Sequence, residues 1–256
     1  MMNNIFAIPA FNDNYIWCLH DGKHALVVDP GDAAPVKKVL EEKHLTLSNI
    51  LITHHHFDHT GGIQALTEAY PEVVVYGPNN PSIAGIHHQL GENDKLSLEK
   101  PRVQFQIMET PGHTLDHIVF YNEELLFCGD TLFSAGCGRM FEGTPDVFHH
   151  SLQKLASLPE QTKVYCTHEY TLANLAFATH VDPNNKTLSE YQRWAQEKRK
   201  NQQITLPSTI SEQNNINPFL RCNDTTIKQN IEKIMNLSTQ TEVEVFAALR
   251  SCKDNF

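Results

Sequence analysis

The stretch that decides the fold spans residues 50–62 and reads ILITHHHFDHTGG. Its apolar start is typical of a short buried strand, and the sequence GGIQALTEAY that follows has the spacing of a helix. Side chains that bind metal ions are concentrated between the strand and the helix. While the chain is extended, His54 and His56 point to one side and His55 points to the other. A turn ahead of the helix then lets further donors approach the first pair.

Those further donors are Asp58 and His59, and three more candidates occur elsewhere in the chain. His113 follows the apolar run VQFQIM, Asp130 follows LLFCG and His168 follows VYCT. Each lies near the end of a predicted strand, and strand ends that share one sheet edge can converge in space. Because a single metal site needs only three or four protein ligands, this larger set predicts a site for two metals.

Each of these residues has an ordinary interpretation when it is taken alone. A lone histidine at a strand end is usually a hydrogen-bonded polar residue, and an aspartate after an apolar run is more often a turn or a helix cap. Four donors within one hexapeptide and three more at strand ends are hard to attribute to caps. We expect His55 to point away from the metals and His117 to support the site. The other histidines have no companion donors and are expected to be ordinary polar residues: His20, His24, His44, His87, His88, His149, His150 and His180.

The region up to residue 170 mixes short strands with helices. The sequence YIWCLHDGKHALVV predicts two strands joined by a hairpin turn at Asp21 and Gly22. Further strand candidates are VVVYG, VQFQIMET, HIVFYN, ELLFCGD and KVYCTHE, and the sequences PVKKVLEEKHL and DVFHHSLQKLASL have helical spacing. This mixture predicts layered sheets with helices on the outside.

From residue 171 onward the pattern becomes helical. The predicted helices are TLANLAFA, TLSEYQRWAQEKRK, DTTIKQNIEKIM and TEVEVFAALRSCK. Thr187 with Glu190, and Thr241 with Glu244, have the spacing of capping boxes. We therefore predict two domains, residues 1–170 and residues 171–256, of which the second is all-helical.

Charge and composition narrow the function. The net charge of −10 argues against a nucleic-acid partner. Residues 1–170 hold 10 Lys/Arg against 21 Asp/Glu, whereas residues 171–256 hold 10 against 9, so an anionic ligand is expected in the second region. The first residues lack the features of a signal peptide, and no apolar run approaches a membrane span. The six cysteines form no C-x-x-C pair, so we expect reduced thiols in a cytoplasmic protein. We also expect a monomer without a membrane partner.

The sequences THHHFDH, Gly112-His113 and Gly129-Asp130, together with His168, resemble the signature set of the metallo-β-lactamase superfamily. The resemblance implies an α+β fold, in which a four-layer αββα sandwich is followed by a small all-helical C-terminal domain. It also implies one metal held by His54, His56 and His113, a second held by Asp58, His59 and His168, and a bridging Asp130. Asp58 and Asp130 are then the catalytic candidates. Nitrogen and oxygen ligands suit zinc, iron or manganese, and zinc is expected for the two divalent ions.

Motifs outside the metal ligands are similar to the hydroxyacylglutathione hydrolase family, also called glyoxalase II. They are FNDNYIW, CGDTLFSAGCGRMFEG, CTHEYTLANLAFA, INPFLRC and LRSCKDNF. The similarity implies that a metal-bridging hydroxide hydrolyses S-D-lactoylglutathione to glutathione and D-lactate, the second step of methylglyoxal detoxification. The alternative is an iron-dependent persulfide dioxygenase or another hydrolase of this fold. A metal-binding protein without enzymatic activity is a further alternative, although that role would not need the full ligand set.

Glutathione carries two carboxylates, which need fixed cationic donors. Arg250 and Lys253 share one face of the last predicted helix, and on spacing alone they indicate a solvated helix end. The resemblance instead implies that this pair holds the glycyl carboxylate, and that Tyr170 and Arg139 also contact glutathione. Arg139 stands where other members carry lysine and Phe141 where some carry tyrosine, which changes the contact geometry and removes a hydroxyl donor.

Overall fold

A computed structural model describes residues 4–256 of the chain. The backbone groups into two compact units. The first comprises the chain up to Glu109 together with Asp116–Gly129, and the second comprises Thr110–Leu115 and Asp130–Phe256. Among the described residues, no helix is both long and apolar enough to cross a membrane.

A six-stranded sheet organises the first unit, and its strands follow one another in chain order. They are β1 (Asn4–Ala10), β2 (Asn14–His20), β3 (His24–Val28), β4 (Thr46–Leu51), β5 (Val74–Pro78) and β6 (His88–Leu90). Strands β1 to β3 pair antiparallel, and β3 to β6 pair parallel. The predicted hairpin is confirmed, because Oδ1 of Asp21 accepts hydrogen bonds from the backbone N–H groups of Lys23 (2.8 Å) and His24 (2.7 Å) in the turn between β2 and β3.

Helices supply two of the three crossovers between the parallel strands, those from β3 to β4 and from β4 to β5. They are α1 (Ala33–Glu42) between β3 and β4, and α2 (Phe57–Thr60) and α3 (Ile63–Ala69) between β4 and β5. The side chain of Asp32 caps α1 by accepting a hydrogen bond from the N–H of Ala34. Val36 and Leu40 of α1 are fully buried in the apolar core of this unit, as their helical spacing predicts. The sequence from β4 to α3 thus places the histidine segment at the end of a buried parallel strand.

Four further strands, each antiparallel to the next, complete the first unit. They are β7 (Lys95–Glu99), β8 (Arg102–Glu109), β9 (Ile118–Tyr121) and β10 (Leu125–Gly129). In β7, Leu96 and Leu98 are buried while the residues between and beside them are exposed, which is the alternation of a strand with one packed face. The strands predicted from VQFQIMET, HIVFYN and ELLFCGD are therefore confirmed.

The second unit is mostly helical. It contains β11 (Leu132–Phe133), β12 (Gly136–Cys137), α4 (Pro145–Ala156), β13 (Lys163–Cys166), α5 (Thr171–Val181), α6 (Lys186–Lys200), β14 (Ser208–Thr209), α7 (Ile210–Ile216), α8 (Thr225–Met235) and α9 (Glu242–Asp254). The four helices predicted after residue 170 are confirmed as α5, α6, α8 and α9. Helix α7 was not predicted, because its sequence ISEQNNI is short and largely polar.

The two predicted capping boxes have different outcomes. The box of Thr241 and Glu244 is confirmed, since both reciprocal hydrogen bonds are present at the start of α9. The box at Thr187 is wrong. Helix α6 begins one residue before Thr187, and its N-cap is Asn185, whose side chain accepts a hydrogen bond from the N–H of Leu188 at 3.0 Å. Asparagine caps helices at least as well as threonine, which explains why the earlier residue takes this role.

Replacing Thr241 with Ala is expected to lower the free energy of unfolding by about 1 kcal/mol, because the N–H of Glu244 loses its acceptor. Thr187→Ala is the matched control and is expected to change that free energy by less than about 0.5 kcal/mol, because Thr187 is not the cap. Urea unfolding followed by circular dichroism measures both variants. Equal losses in the two would contradict the cap assignment.

All six cysteines are buried thiols. Burial raises the pKa of Cys18 to about 12 and that of Cys166 to about 12. Since the thiolate is the reactive form, thiols with such pKa values are unreactive at neutral pH. These observations agree with the prediction of reduced cysteines.

Candidate metal centre

Four predicted ligands of the first unit lie between the end of β4 and the end of α2: His54, His56, Asp58 and His59. Nε2 of His54 lies 3.0 Å from Nδ1 of His56, so these two rings share one side of the chain. His55 turns away from them, and its Nδ1 lies 2.9 Å from Oδ1 of Asp116. His55 therefore has a partner outside the predicted ligand set, as expected, although residues 54 and 55 form a bend and not an extended strand.

Asp29, just after β3, organises this segment and is not among the residues predicted from the sequence. Its Oδ1 accepts a hydrogen bond from the N–H of Thr53 (2.8 Å), and its Oδ2 accepts from the Thr53 hydroxyl (2.7 Å) and from Nδ1 of His59 (3.0 Å). Because a carboxylate only accepts, Nδ1 of His59 carries a proton, which makes Nε2 the acceptor nitrogen of the neutral ring. The sequence LVVDPG contains one signal of a site residue, namely an aspartate directly after an apolar strand. The Pro-Gly that follows, however, is typical of a turn without a functional role.

Two contacts hold Asp58 beside His59. Nδ2 of Asn14 donates a hydrogen bond to Oδ2 of Asp58 at 3.0 Å, and the same oxygen lies 3.4 Å from Nε2 of His59. Gly31 permits a close backbone approach, since a Cβ at Gly31 would lie 1.9 Å from the backbone oxygen of Asp58. Asn14 belongs to the FNDNYIW motif, so this motif orients a candidate ligand as well as marking a family likeness.

In the second unit, three predicted ligands come together: His113, Asp130 and His168. All three are almost fully buried. Oδ2 of Asp130 lies 3.5 Å from Nε2 of His113 and 3.3 Å from Nε2 of His168. Nδ1 of His113 donates a hydrogen bond to the backbone carbonyl of Arg139 at 2.8 Å, which makes Nε2 the acceptor nitrogen of the neutral ring. Imidazole nitrogens and a carboxylate oxygen are donor types that divalent metal ions bind, so this donor set fits a metal site.

The predicted substrate-binding residues differ in exposure. The side chain of Arg139 is 66% exposed. The ring of Tyr170 is partly exposed and stacks on the ring of His168, with centroids 4.7 Å apart and planes 2° apart. Nζ of Lys253, which is half-buried, lies 5.6 Å from the centroid of Phe177. Burial, assisted by the positive charge of Arg250, lowers the pKa of Lys253.

The environment of Arg250 differs from the solvated helix end that its spacing indicates. Its side chain is buried within the second unit. Nη1 donates hydrogen bonds to the carbonyls of Cys137 and Gly138, and Nη2 donates to Oδ1 of Asp254. For Arg250 the interpretation as a solvated end is therefore wrong, because the chain itself supplies the acceptors.

Comparison with known proteins identifies the class of protein first. A family model of the metallo-beta-lactamase superfamily matches residues 11–168, more than half of the chain, so the chain belongs to that superfamily. The crystal structure of ETHE1 from Myxococcus xanthus is similar in fold, with a TM-score of 0.65 and 24% identity, and the match covers 99% of this chain and 100% of that one. The predicted α+β sandwich with a helical C-terminal domain is confirmed.

The particular family follows from the C-terminal region and from full-length relatives. A model named hydroxyacylglutathione hydrolase C-terminus matches residues 169–256. The chain is 49% identical to a hydroxyacylglutathione hydrolase of Aliivibrio salmonicida, over 98% of this chain and 99% of that relative. It is also 49% identical to one of Photobacterium profundum, over 100% of both. The chain therefore belongs to the hydroxyacylglutathione hydrolase family and is a hydrolase, which favours the main prediction over a dioxygenase.

The superfamily fold and a cluster of histidine and aspartate side chains able to bind metal support a dinuclear metal site, whereas the identity of the metal and the role of each ligand stay predictions. The domain boundary between residues 170 and 171 is also still a prediction.

Proposed function

We propose that this chain hydrolyses S-D-lactoylglutathione to glutathione and D-lactate, the second step of methylglyoxal detoxification. The observation that carries the proposal is the similarity to hydroxyacylglutathione hydrolases along the whole chain, including a C-terminal region outside the metallo-β-lactamase match. We also propose that the protein is a cytoplasmic monomer with neither a nucleic-acid nor a membrane partner. The net charge of −10 supports the absence of a nucleic-acid partner.

Two divalent ions, with zinc as the proposed metal, would be held by seven side chains. One ion would take His54, His56 and His113, the other would take Asp58, His59 and His168, and Asp130 would be shared. The donor chemistry supports this assignment, since nitrogen and oxygen ligands suit zinc, although iron and manganese accept the same set. A metal pair of this kind, when bound, supplies an activated water and stabilises negative charge on the substrate carbonyl oxygen.

The chain's own residues orient the ligands. Asp29 holds the Nδ1 proton of His59, and the carbonyl of Arg139 holds that of His113, so each ring has a fixed orientation. Asp58 is partly exposed, and we propose that its carboxylate, oriented by Asn14, orients the attacking water. The departing thiolate has a parent pKa of about 8.5, so it leaves without a strong general acid.

Glutathione would be bound by residues of the second unit, namely Arg139, Tyr170, Arg250 and Lys253. The partly exposed members can meet a carboxylate directly, and Lys253 lies beside Arg250, whose positive charge adds to burial in lowering the pKa of Lys253. Phe141 contributes a ring that lies 5.3 Å from that of His113 and is largely exposed. Because it lacks a hydroxyl, Phe141 offers the substrate an apolar contact only.

Replacing Lys253 with Ala is expected to raise KM for S-D-lactoylglutathione about tenfold or more, because a charge-assisted hydrogen bond is worth roughly 1.5–3 kcal/mol. The value of kcat should stay unchanged if the contact binds substrate and transition state equally. Lys233→Ala, at an exposed lysine in the last turn of α8, is the matched control. A small thioester without glutathione carboxylates should be insensitive to both changes, and an unaltered KM in Lys253→Ala would remove this residue from the binding site.

The proposed activity is tested with zinc-loaded protein and S-D-lactoylglutathione, following the loss of thioester absorbance. We expect kcat/KM within the ordinary range of enzymes, about 10⁴–10⁸ M⁻¹s⁻¹. Oxygen uptake with glutathione persulfide, measured in parallel with iron-loaded protein, should be absent. Oxygen uptake without thioester hydrolysis would replace the proposal with the dioxygenase, and no turnover of either substrate would favour a binding protein.

A further inference from the structure

Arg250 makes more contacts with its own chain than a residue that only awaits a substrate would need. The side chain is 4% exposed, and the guanidinium lies 5.1 Å from the ring centroid of Phe219. Nη1 lies 3.1 Å from the carbonyl oxygen of Cys137 and 3.2 Å from that of Gly138, and Nη2 lies 2.9 Å from Oδ1 of Asp254. A buried guanidinium is stable only when such acceptors replace the water molecules that it loses on burial. Arg250 is therefore held against the backbone of Cys137 and Gly138.

Arg250 holds residues 137–139, the end of β12 and the loop that follows it, and this loop also carries the acceptor of His113. The next carbonyl along, that of Arg139, accepts the hydrogen bond from Nδ1 of His113 at 2.8 Å. Three consecutive carbonyls are thus divided between two donors, since the first two bind Arg250 and the third binds His113. Any shift of the loop that frees Arg250 would therefore move the acceptor that orients the histidine.

Packing at Gly138 makes this coupling tight. A Cβ at Gly138 would lie 2.1 Å from the backbone oxygen of Asp130 and 3.0 Å from Nδ1 of His113. The loop backbone is therefore in direct contact with two candidate ligands, and no side chain separates them. A displacement of the loop would be transmitted to both.

We propose that Arg250 is a positioning residue for His113. It fixes the loop so that the carbonyl of Arg139 holds the Nδ1 proton and Nε2 would bind the metal. The inference rests on the proposed dinuclear function and extends it, because the family resemblance implies only a glycyl-carboxylate contact for Arg250. A residue limited to that contact changes KM, whereas a positioning residue changes metal binding in the absence of substrate.

The test measures metal binding by Arg250→Gln, Arg250→Lys, Lys253→Ala and Arg221→Ala. Metal-free protein is titrated with zinc against a chromophoric chelator, and the visible spectrum of the cobalt(II) form reports the ligand geometry. Arg250→Gln is expected to weaken zinc binding about 10–100-fold and to alter the cobalt spectrum, as loss of an orienting partner does. Arg250→Lys keeps the charge but cannot place one nitrogen at the two carbonyls and a second at Asp254, so it should be intermediate.

Two controls separate positioning from other effects. Lys253→Ala lies three residues along α9 and should leave zinc affinity unchanged. Arg221→Ala removes another largely buried arginine of the same unit, paired with Asp182 and Asp224, and should lower stability while sparing zinc binding. Circular dichroism establishes whether each variant is folded. If Arg250→Gln does not fold, the zinc titration of Arg250→Lys provides the test.

Wild-type zinc affinity and an unchanged cobalt spectrum in folded Arg250→Gln would overturn the inference, whatever happens to KM. An equal loss of zinc affinity in Arg221→Ala would overturn it as well, because the effect would then be general destabilisation. Failure of the proposed function is distinguishable from both, since wild-type protein would then bind zinc without hydrolysing S-D-lactoylglutathione.

Discussion

Asp130→Asn protein is expected to show a kcat/KM for S-D-lactoylglutathione about a thousandfold or more below that of the wild type. Oδ2 of Asp130 faces Nε2 of both His113 and His168, within 3.5 Å of each. Asparagine removes the negative charge at the point where two ions would share a ligand. Metal-assisted charge stabilisation is worth several kcal/mol, and each 1.36 kcal/mol is a factor of ten in rate. Steady-state kinetics and elemental analysis of the metal content measure the effect.

Asp116→Asn is the control for this change. Asp116 pairs with His55, the histidine that faces away from the other rings, so its replacement should leave metal content and turnover close to those of the wild type. Wild-type kinetics in Asp130→Asn would remove Asp130 from the ligand set. Equal damage in Asp116→Asn would instead place His55 among the functional residues.

Asp29→Asn is expected to reduce metal affinity or kcat/KM about 10–100-fold, the usual cost of losing a partner that orients a ligand histidine. The carboxylate accepts three hydrogen bonds, two from Thr53 and one from His59. An asparagine of the same shape must turn its NH₂ group toward at least one of these donors, which leaves a buried polar group unsatisfied. Zinc titration and kinetics on the same preparation measure both quantities.

Asp32→Asn provides the matched comparison for Asp29. Asp32 caps α1 in the same unit, and asparagine caps helices as well as aspartate does. Activity and zinc affinity should therefore be unaffected in Asp32→Asn. If Asp29→Asn behaves in the same way, Asp29 does not orient His59 in solution.

The fold was most predictable where local sequence and burial agree. Runs of β-branched and other apolar residues such as NILIT and HIVFYN predict strands, because these side chains pack well on the pleated surface of a buried sheet. The strand β6, with the sequence HQL, has no apolar alternation, and α7 is short and polar, so neither carries a signal of its own. Thr187 failed as a cap because a competing asparagine stands two residues earlier, and spacing alone does not rank two competent caps.

The candidate ligands were predictable because imidazole and carboxylate groups concentrated at strand ends have few other uses. Their supporting residues were not. Asp29 lies 24 residues from Thr53 in sequence, and Arg250 lies 112 residues from Gly138, so their roles exist only through tertiary contacts. A pair such as Arg250 and Lys253 has the same helical spacing whether it is solvated or buried, and only the packing of α9 distinguishes the two.

The most direct test of the central claim is a zinc titration of metal-free protein, with S-D-lactoylglutathione hydrolysis followed at each addition. The claim that two ions act together on a glutathione thioester predicts that activity reaches its plateau at about two zinc ions per chain. A plateau at one ion per chain, or no hydrolysis after two are bound, would contradict it.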